Sequence, residues 1–244
     1  MEPIFQKNFL VTERDVDCYG RLRPSMILSY AQEVAGVHSN QLTVGYDVLA
    51  QRHMFWAVTR HKVQVSRMPM IGETIRVETW PLPPTRVAYP RSMVAYDEKG
   101  NELFRSISIW VLMDLDTRNM ILPGKSGISV DGTLRGLELA SPLGLAAKPL
   151  GSRSSRTVRF TDLDRNGHMN NTKYLDWTAD LLPRPFLAGS ILKEMTVCYF
   201  TEAREGQELD LHWDFPEKGT LLVDAYRQGE DKNERIFSAR MLFE

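Results

Sequence analysis

The chain has 244 residues, enough for one large domain or two small ones, each with a core of useful size. At 43% hydrophobic, 9% aromatic and 25% charged residues it has a globular composition, and 16 Gly with 13 Pro exclude collagen-like or low-complexity character. Its 30 basic and 31 acidic side chains leave a net charge of -1, so it lacks the global positive field of a dedicated nucleic-acid binder.

The amino end, Met-Glu-Pro-Ile-Phe-Gln-Lys, has neither the apolar core of a secretory signal nor an Arg-rich transit stretch. The apolar runs Ile107 to Met113 and Leu221 to Val223 fall far short of the ~20 residues that span a bilayer. Two cysteines, Cys18 and Cys198, are too few for a disulfide framework or a four-ligand zinc site. The expectation is a cytosolic, unprocessed protein with no membrane span. From Pro24 to His38, Met26, Tyr30, Val34 and His38 recur with Ile27, Ala31 and Ala35 beside them, the apolar stripe of a helix that Pro24 opens. After Gly45 and a short amphipathic piece, Val63 and Val65, then Ile75, Val77 and Thr79, alternate as half-buried strands do. Val87 to Tyr96 and Leu103 to Leu112 add two strands joined at Asp97-Glu-Lys-Gly-Asn101. Gly124 to Gly151 has little periodicity and reads as a linker. A second helix is expected from about Asn171 to Leu182, stopping before Pro183. Met195 to Tyr199, Leu209 to Trp213, Leu221 to Tyr226 and Arg235 to Phe243 supply the last strands.

The halves repeat one another. Val11-Thr-Glu-Arg-Asp15-Val-Asp17-Cys-Tyr-Gly20 lies over Val158-Arg-Phe-Thr-Asp162-Leu-Asp164-Arg-Asn-Gly167, with Leu28 over Leu175 and Tyr30 over Trp177. Farther on, Gly72-Glu-Thr-Ile-Arg-Val-Glu resembles Gly206-Gln-Glu-Leu-Asp-Leu-His, and Ala95-Tyr96 resembles Ala225-Tyr226. One long helix laid across a curled antiparallel sheet is a two-layer way to bury an apolar sheet face, the hotdog arrangement.

The densest polar cluster, Asp162-Leu-Asp164-Arg-Asn166-Gly-His168-Met-Asn170-Asn171, precedes the second helix. His168 can move protons near neutrality, a nearby carboxylate can orient its ring, and Asn166 can donate to an oxyanion or a water. Free backbone N–H groups at the helix start favour developing negative charge. Turn formation and capping are the competing reading, and Asn170 or Asn171 fits a cap. The first half carries Asp17 opposite Asp164, but Tyr19 opposite Asn166 and Arg21 opposite His168, so only the second half has the proton-transfer set.

The run Asp162-Leu-Asp-x-Asn-x-His168-Met-Asn-Asn-x-Lys173-Tyr174-Leu-x-Trp177 resembles that of the plant-type acyl-acyl-carrier-protein thioesterases, double-hotdog enzymes that release fatty acids from carrier protein. The likeness extends to the Trp56 strand, the linker position and Tyr199-Phe-Thr-Glu202. It implies an α+β fold of two tandem hotdog domains, each an antiparallel sheet wrapped around a long central helix: 1–123 binding the acyl chain, 124–151 linking, and 152–244 catalytic. It implies that Asp164, Asn166 and His168 are catalytic, joined by Glu202. Plant members have a Cys directly after this Glu, where this chain has Ala203. With Cys198 in an apolar strand and Cys18 in the half lacking a counterpart of His168, water attack is expected, activated by Glu202 or Asp164 with His168. An acyl-coenzyme A thioesterase, a hotdog hydratase and a silent acyl-binding protein are the alternatives. The hydratase spacing, Asp-x-Asn-Pro-x-His, is one residue longer than the one here.

For the acyl slot the first half offers Met26, Tyr30, Met54 and Trp56, with Met68, Met70 and Trp110, although ordinary core is the competing reading. Acyl carrier proteins are acidic, and between Glu138 and Asp162 every charged residue is basic: Lys148, Arg153, Arg156 and Arg159 are candidates for docking. The five His residues lack a metal-ligand spacing, and no phosphate loop or dinucleotide fingerprint appears, so neither metal nor cofactor is expected. Monomer and homodimer both stay open.

Overall fold

A Pro at the first helical position and an apolar stripe make Pro24–Gln41 the long helix α1 of the first half, three residues longer than its stripe indicates. The computed structural model describes residues 2–228 and 234–244, and the chain divides into the units Met1–Pro142 and Leu143–Glu244. Around α1 the first unit arranges β1 (Phe5–Leu10), the short helix α2 (Tyr46–Ala50), β2 (Met54–Val65), β3 (Thr74–Pro81), β4 (Tyr89–Tyr96), β5 (Glu102–Asp114), β6 (Met120–Ile121) and α3 (Pro123–Ser126). The strands run antiparallel in the order β1-β3-β4-β5-β2, with β6 on β5. Helix α1 buries Ile27, Leu28, Tyr30, Ala31, Val34 and Ala35, each large side chain stabilising by roughly 1.5–3 kcal/mol.

The opposite sheet face of this unit is also covered. Trp80, Leu82, Val94 and Ile107 pack with Leu137 and Leu139 from the segment after α3. That strap is pinned by Arg135 to Glu78 at 2.8 Å, Trp80 Nε1 to Glu138 at 3.2 Å, and Arg105 Nη1 to the Leu137 carbonyl at 3.1 Å. A Cβ on Gly132 would lie 1.9 Å from the Pro83 nitrogen, so only glycine fits there.

The second unit comprises β7 (Ser152–Thr157), a 3-10 turn at Phe160–Asp162, α4 (Lys173–Asp180), α5 (Arg184–Gly189), β8 (Leu192–Tyr199), β9 (Glu208–Glu217), β10 (Thr220–Arg227) and β11 (Glu234–Phe243). Its strands run antiparallel in the order β7-β9-β10-β11-β8, the same arrangement as in the first unit. The β-bulges agree as well: the register shifts at Ala95/Tyr96 in one unit and at Ala225/Tyr226 in the other.

The helix of this unit corrects the expected span, because α4 has 8 residues rather than a long run to Leu182. At its start the Asn170 side chain accepts the Thr172 N–H at 3.0 Å, the competition with helical bonding expected of Asn. At its end Leu181 and Leu182 bond to the carbonyls of Thr178 and Ala179, a tightened turn that Pro183 closes. The helix still buries Tyr174, Leu175, Trp177 and Thr178, with Tyr174 stacked on Phe237 at 4.8 Å. On the other sheet face Asp224, 4% exposed, meets Arg235 and Ser238, and Arg235 Nη1 donates to the Leu145 carbonyl at 2.7 Å. No helix among the described residues is long and apolar enough to cross a membrane.

Candidate active site

The polar cluster folds as a tight loop built on Asp164. Its Oδ1 accepts the backbone N–H of Asn166 at 2.8 Å and of His168 at 3.3 Å, while its own N–H donates to the His168 carbonyl at 2.8 Å. Gly167 takes φ 76°, a left-handed conformation that favours glycine. Asn166 is exposed, and its Nδ2 lies 3.4 Å from Asp164 Oδ2.

The next residue ties the loop to a second segment. Met169 N–H donates to the Ala203 carbonyl at 2.8 Å, and His168 forms an isolated antiparallel bridge with Arg204. This sets His168 across from the chain just beyond β8. Its Nε2 lies 3.1 Å from Glu202 Oε2; the imidazole is 12% exposed and the carboxylate 42%. The acid facing the ring is therefore Glu202, whereas Asp164 holds the backbone on which the ring stands. Arg227 Nη1 adds a bond to the Glu202 carbonyl at 3.3 Å and one to Gln207 Oε1 at 2.9 Å, and Gln207 Oε1 accepts from Arg204 N at 2.9 Å. Sequence reasoning missed Arg227 and Gln207, because nothing in their spacing marks residues that act through the backbone of a distant loop.

The first unit builds the same loop from other side chains. Asp17 Oδ1 accepts from Tyr19 N at 2.8 Å and Arg21 N at 3.0 Å, Gly20 has φ 74°, Leu22 N donates to the Pro69 carbonyl, and Arg21 bridges Met70. The aspartate thus makes the turn in both units, as its presence at both positions of the repeat suits. What differs is the chemistry. Arg21 stands where His168 does, paired with Asp17 at 2.9 Å and lying over the Tyr19 ring, and Met68 occupies the position of Glu202.

The remaining candidates are dispersed. Met54 and Trp56 belong to a packed cluster with Val44, Leu49, Tyr89, Leu112 and Ile128, and Trp56 Nε1 donates to the Val44 carbonyl at 2.8 Å. Tyr30 stacks on Phe9 at 4.3 Å, and Met26 is half-buried on α1. Of the basic stretch, Lys148, Arg153 and Arg159 are exposed. Arg156 is engaged with Asp180 at 2.6 Å and with the Trp177 ring at 4.9 Å. It cannot share a surface with Arg153, because an odd separation along β7 points the two to opposite faces. A cleft of about 270 Å³ in the second unit is lined by Lys148, Asp224, Arg235 and Arg240 but by none of the four catalytic candidates. Among the described residues no group of three or more His, Cys, Asp or Glu is poised to hold a metal.

Family models for the acyl-ACP thioesterase N-terminal and C-terminal domains match residues 2–122 and 148–244. The chain belongs to the acyl-ACP thioesterase family. It is 26% identical over 223 residues to the chloroplastic palmitoyl-acyl carrier protein thioesterase of Gossypium hirsutum, an alignment covering 82% of this chain and 52% of that protein. The chain thus spans about half the length of such curated relatives. A crystal structure of an acyl-ACP thioesterase from Bacteroides thetaiotaomicron superimposes with a TM-score of 0.87 at 23% identity, covering 99% of this chain and 98% of the other. The 12:0-ACP thioesterase from Umbellularia californica gives 0.84 at 21%, covering 100% and 98%. These likenesses extend the fold over the full chain. The plant relatives are chloroplastic by name, and the comparisons lend the expected cytosolic location no support.

Proposed function

We propose that this family member hydrolyses the thioester of fatty acyl-[acyl-carrier-protein], with two tandem hotdog domains of which the second is catalytic and the first houses the acyl chain. The observation that carries the reading is the 3.1 Å pairing of His168 Nε2 with Glu202 Oε2, set against Arg21 and Met68 at the equivalent points of the first unit. The common strand order, the matched bulges and the repeated aspartate loop support the tandem arrangement.

In this mechanism Glu202 accepts the proton on His168 Nε2 as a hydrogen bond and fixes the tautomer, so that Nδ1 is the base. Nδ1 takes a proton from a water whose oxygen attacks the thioester carbonyl carbon. The carbonyl oxygen gains negative charge, stabilised by Asn166 Nδ2 and backbone N–H groups. As the intermediate collapses the carbon–sulfur bond breaks, the imidazolium returns the proton to the departing thiolate, and free fatty acid and carrier thiol result. Asp164 positions the loop.

The test is hydrolysis of carrier protein loaded with chains of graded length, with the matching coenzyme A esters as comparison. His168→Ala and Glu202→Gln should each lower kcat by roughly 100- to 10,000-fold with unchanged thermal midpoints. Near-normal turnover of either folded variant would sink the assignment.

A further inference from the structure

Strands whose inner face packs on a helix carry apolar residues there by alternation, yet the first unit breaks this rule beneath α1. Arg91 on β4, Ser108 on β5 and His61 on β2 lie in one register row, and Thr79 on β3 and Ser106 on β5 in the next. All five are buried, Arg91 with 8% exposure and Thr79 with 1%. Helix α1 contributes His38, whose Nδ1 accepts from Arg91 Nη1 at 3.1 Å; Thr79 Oγ1 lies 3.4 Å from the same nitrogen. With Nδ1 accepting, the His38 proton sits on Nε2, which faces the Glu2 carbonyl at 3.2 Å. His61 Nε2 lies 3.1 Å from Ser106 Oγ, and Ser108 Oγ receives Trp110 Nε1 at 2.8 Å.

Arg91 is the anomaly in this set. Among the described residues no carboxylate lies within ion-pair distance of it, and both of its side-chain hydrogen bonds leave from Nη1, so Nε and Nη2 stay available as donors. Burial lowers its pKa only to about 10, and the group is charged at neutral pH. A buried cation without a counter-charge works against stability, and residues kept at such a cost tend to serve function.

We infer that this polar row recognises an oxygen function carried by the acyl chain away from its thioester, a hydroxyl, oxo or carboxylate group accepting from Arg91. The inference rests on the reading that the first unit houses the chain. A pure hydrocarbon offers the guanidinium no acceptor, whereas an oxygen-bearing chain offers one to a buried charge that has no carboxylate beside it.

The experiment compares carrier-bound chains of equal length, one plain and the others bearing a hydroxyl or oxo group at successive carbons, on the unaltered protein and Arg91→Met. The unaltered protein should favour at least one oxygenated chain over the plain one by about tenfold or more in kcat/KM. In Arg91→Met the ratio should fall to about one, with a thermal midpoint equal to or above that of the parent because a buried charge gives way to an apolar side chain. Arg91→Lys keeps the charge but loses the fork, should give an intermediate ratio, and takes over the comparison if the Met variant does not fold. A parent without preference at any carbon, or a preference that survives substitution, overturns the inference. If the parent hydrolyses no carrier-bound chain at all, the thioesterase reading fails on its own. Calorimetric binding of free hydroxylated and plain fatty acids then decides, and equal affinities overturn the recognition site.

Discussion

Asp164 and Asp17 illustrate how one residue type serves two ends in a chain whose units share a strand order. Each accepts two backbone N–H groups of a loop closed by a left-handed glycine, and loss of such an acceptor typically costs about 1 kcal/mol. Asp17→Ala should therefore lower the thermal midpoint while sparing turnover at permissive temperature. Asp164→Ala should lower the midpoint by a similar amount and also depress kcat, because the same loop carries His168. Equal turnover of the two variants, read from kinetics beside thermal melts, would separate Asp164 from the chemistry. Of this site the sequence made His168, Asp164 and Asn166 visible, because they stand within five positions of one another. The facing of Glu202 and His168 was legible only through family resemblance, since it depends on a backbone bond between Met169 and Ala203 that no spacing encodes. Arg227 was not legible at all, for the same reason.

At the scale of elements, buried polar groups leave a pH signature. His61 is sealed inside the first sheet, and desolvation lowers its pKa from the ordinary 6.5 to about 3. Below pH 6.5 the unfolded chain binds a proton there that the folded chain refuses. Stability is thus undiminished above 6.5 and falls as pH drops toward 3, by up to about 1.4 kcal/mol per pH unit from this group. His61→Gln removes that dependence: the difference in denaturation midpoint between parent and variant should change from pH 7 to pH 5, and a constant difference would contradict a neutral buried imidazole. The same burial explains where element reading succeeded. The end of β2 and the start of β3, with Val63, Val65, Ile75 and Val77 buried, announced themselves by alternation. The edge strands β1 and β7 did not, having burial patterns of mostly exposed or half-exposed residues. The length of α4 was misjudged because apolar periodicity continues through Leu181 and Leu182 after the backbone has left the helix.

At the scale of the molecule, the proposed carrier partner sets a prediction about charge. With Arg156 committed to Asp180, the basic residues available to an acidic surface are Lys148, Arg153 and Arg159. Arg153→Glu with Arg159→Glu should raise KM severalfold for carrier-bound substrate, an effect that shrinks with added salt, while a small soluble thioester is processed as before. Equal changes on both substrates, or none, would remove docking from this edge. The near-zero net charge masks this run of like sign, which shows only when the segment between Glu138 and Asp162 is read by itself.

The stretch after α3, which has almost no periodicity, has a bearing on how the protein can be divided. Residues through 139 seal one sheet with Leu137, Leu139 and a glycine that admits no substituent, and Leu145 is clasped by Arg235 in the other unit. Truncation at position 123 would strip the amino-terminal half of its own cover and expose Trp80 and Ile107 to solvent, inviting aggregation. Chimeras that exchange halves with relatives should therefore be joined between Pro142 and Leu143, where each side keeps the cover that belongs to it.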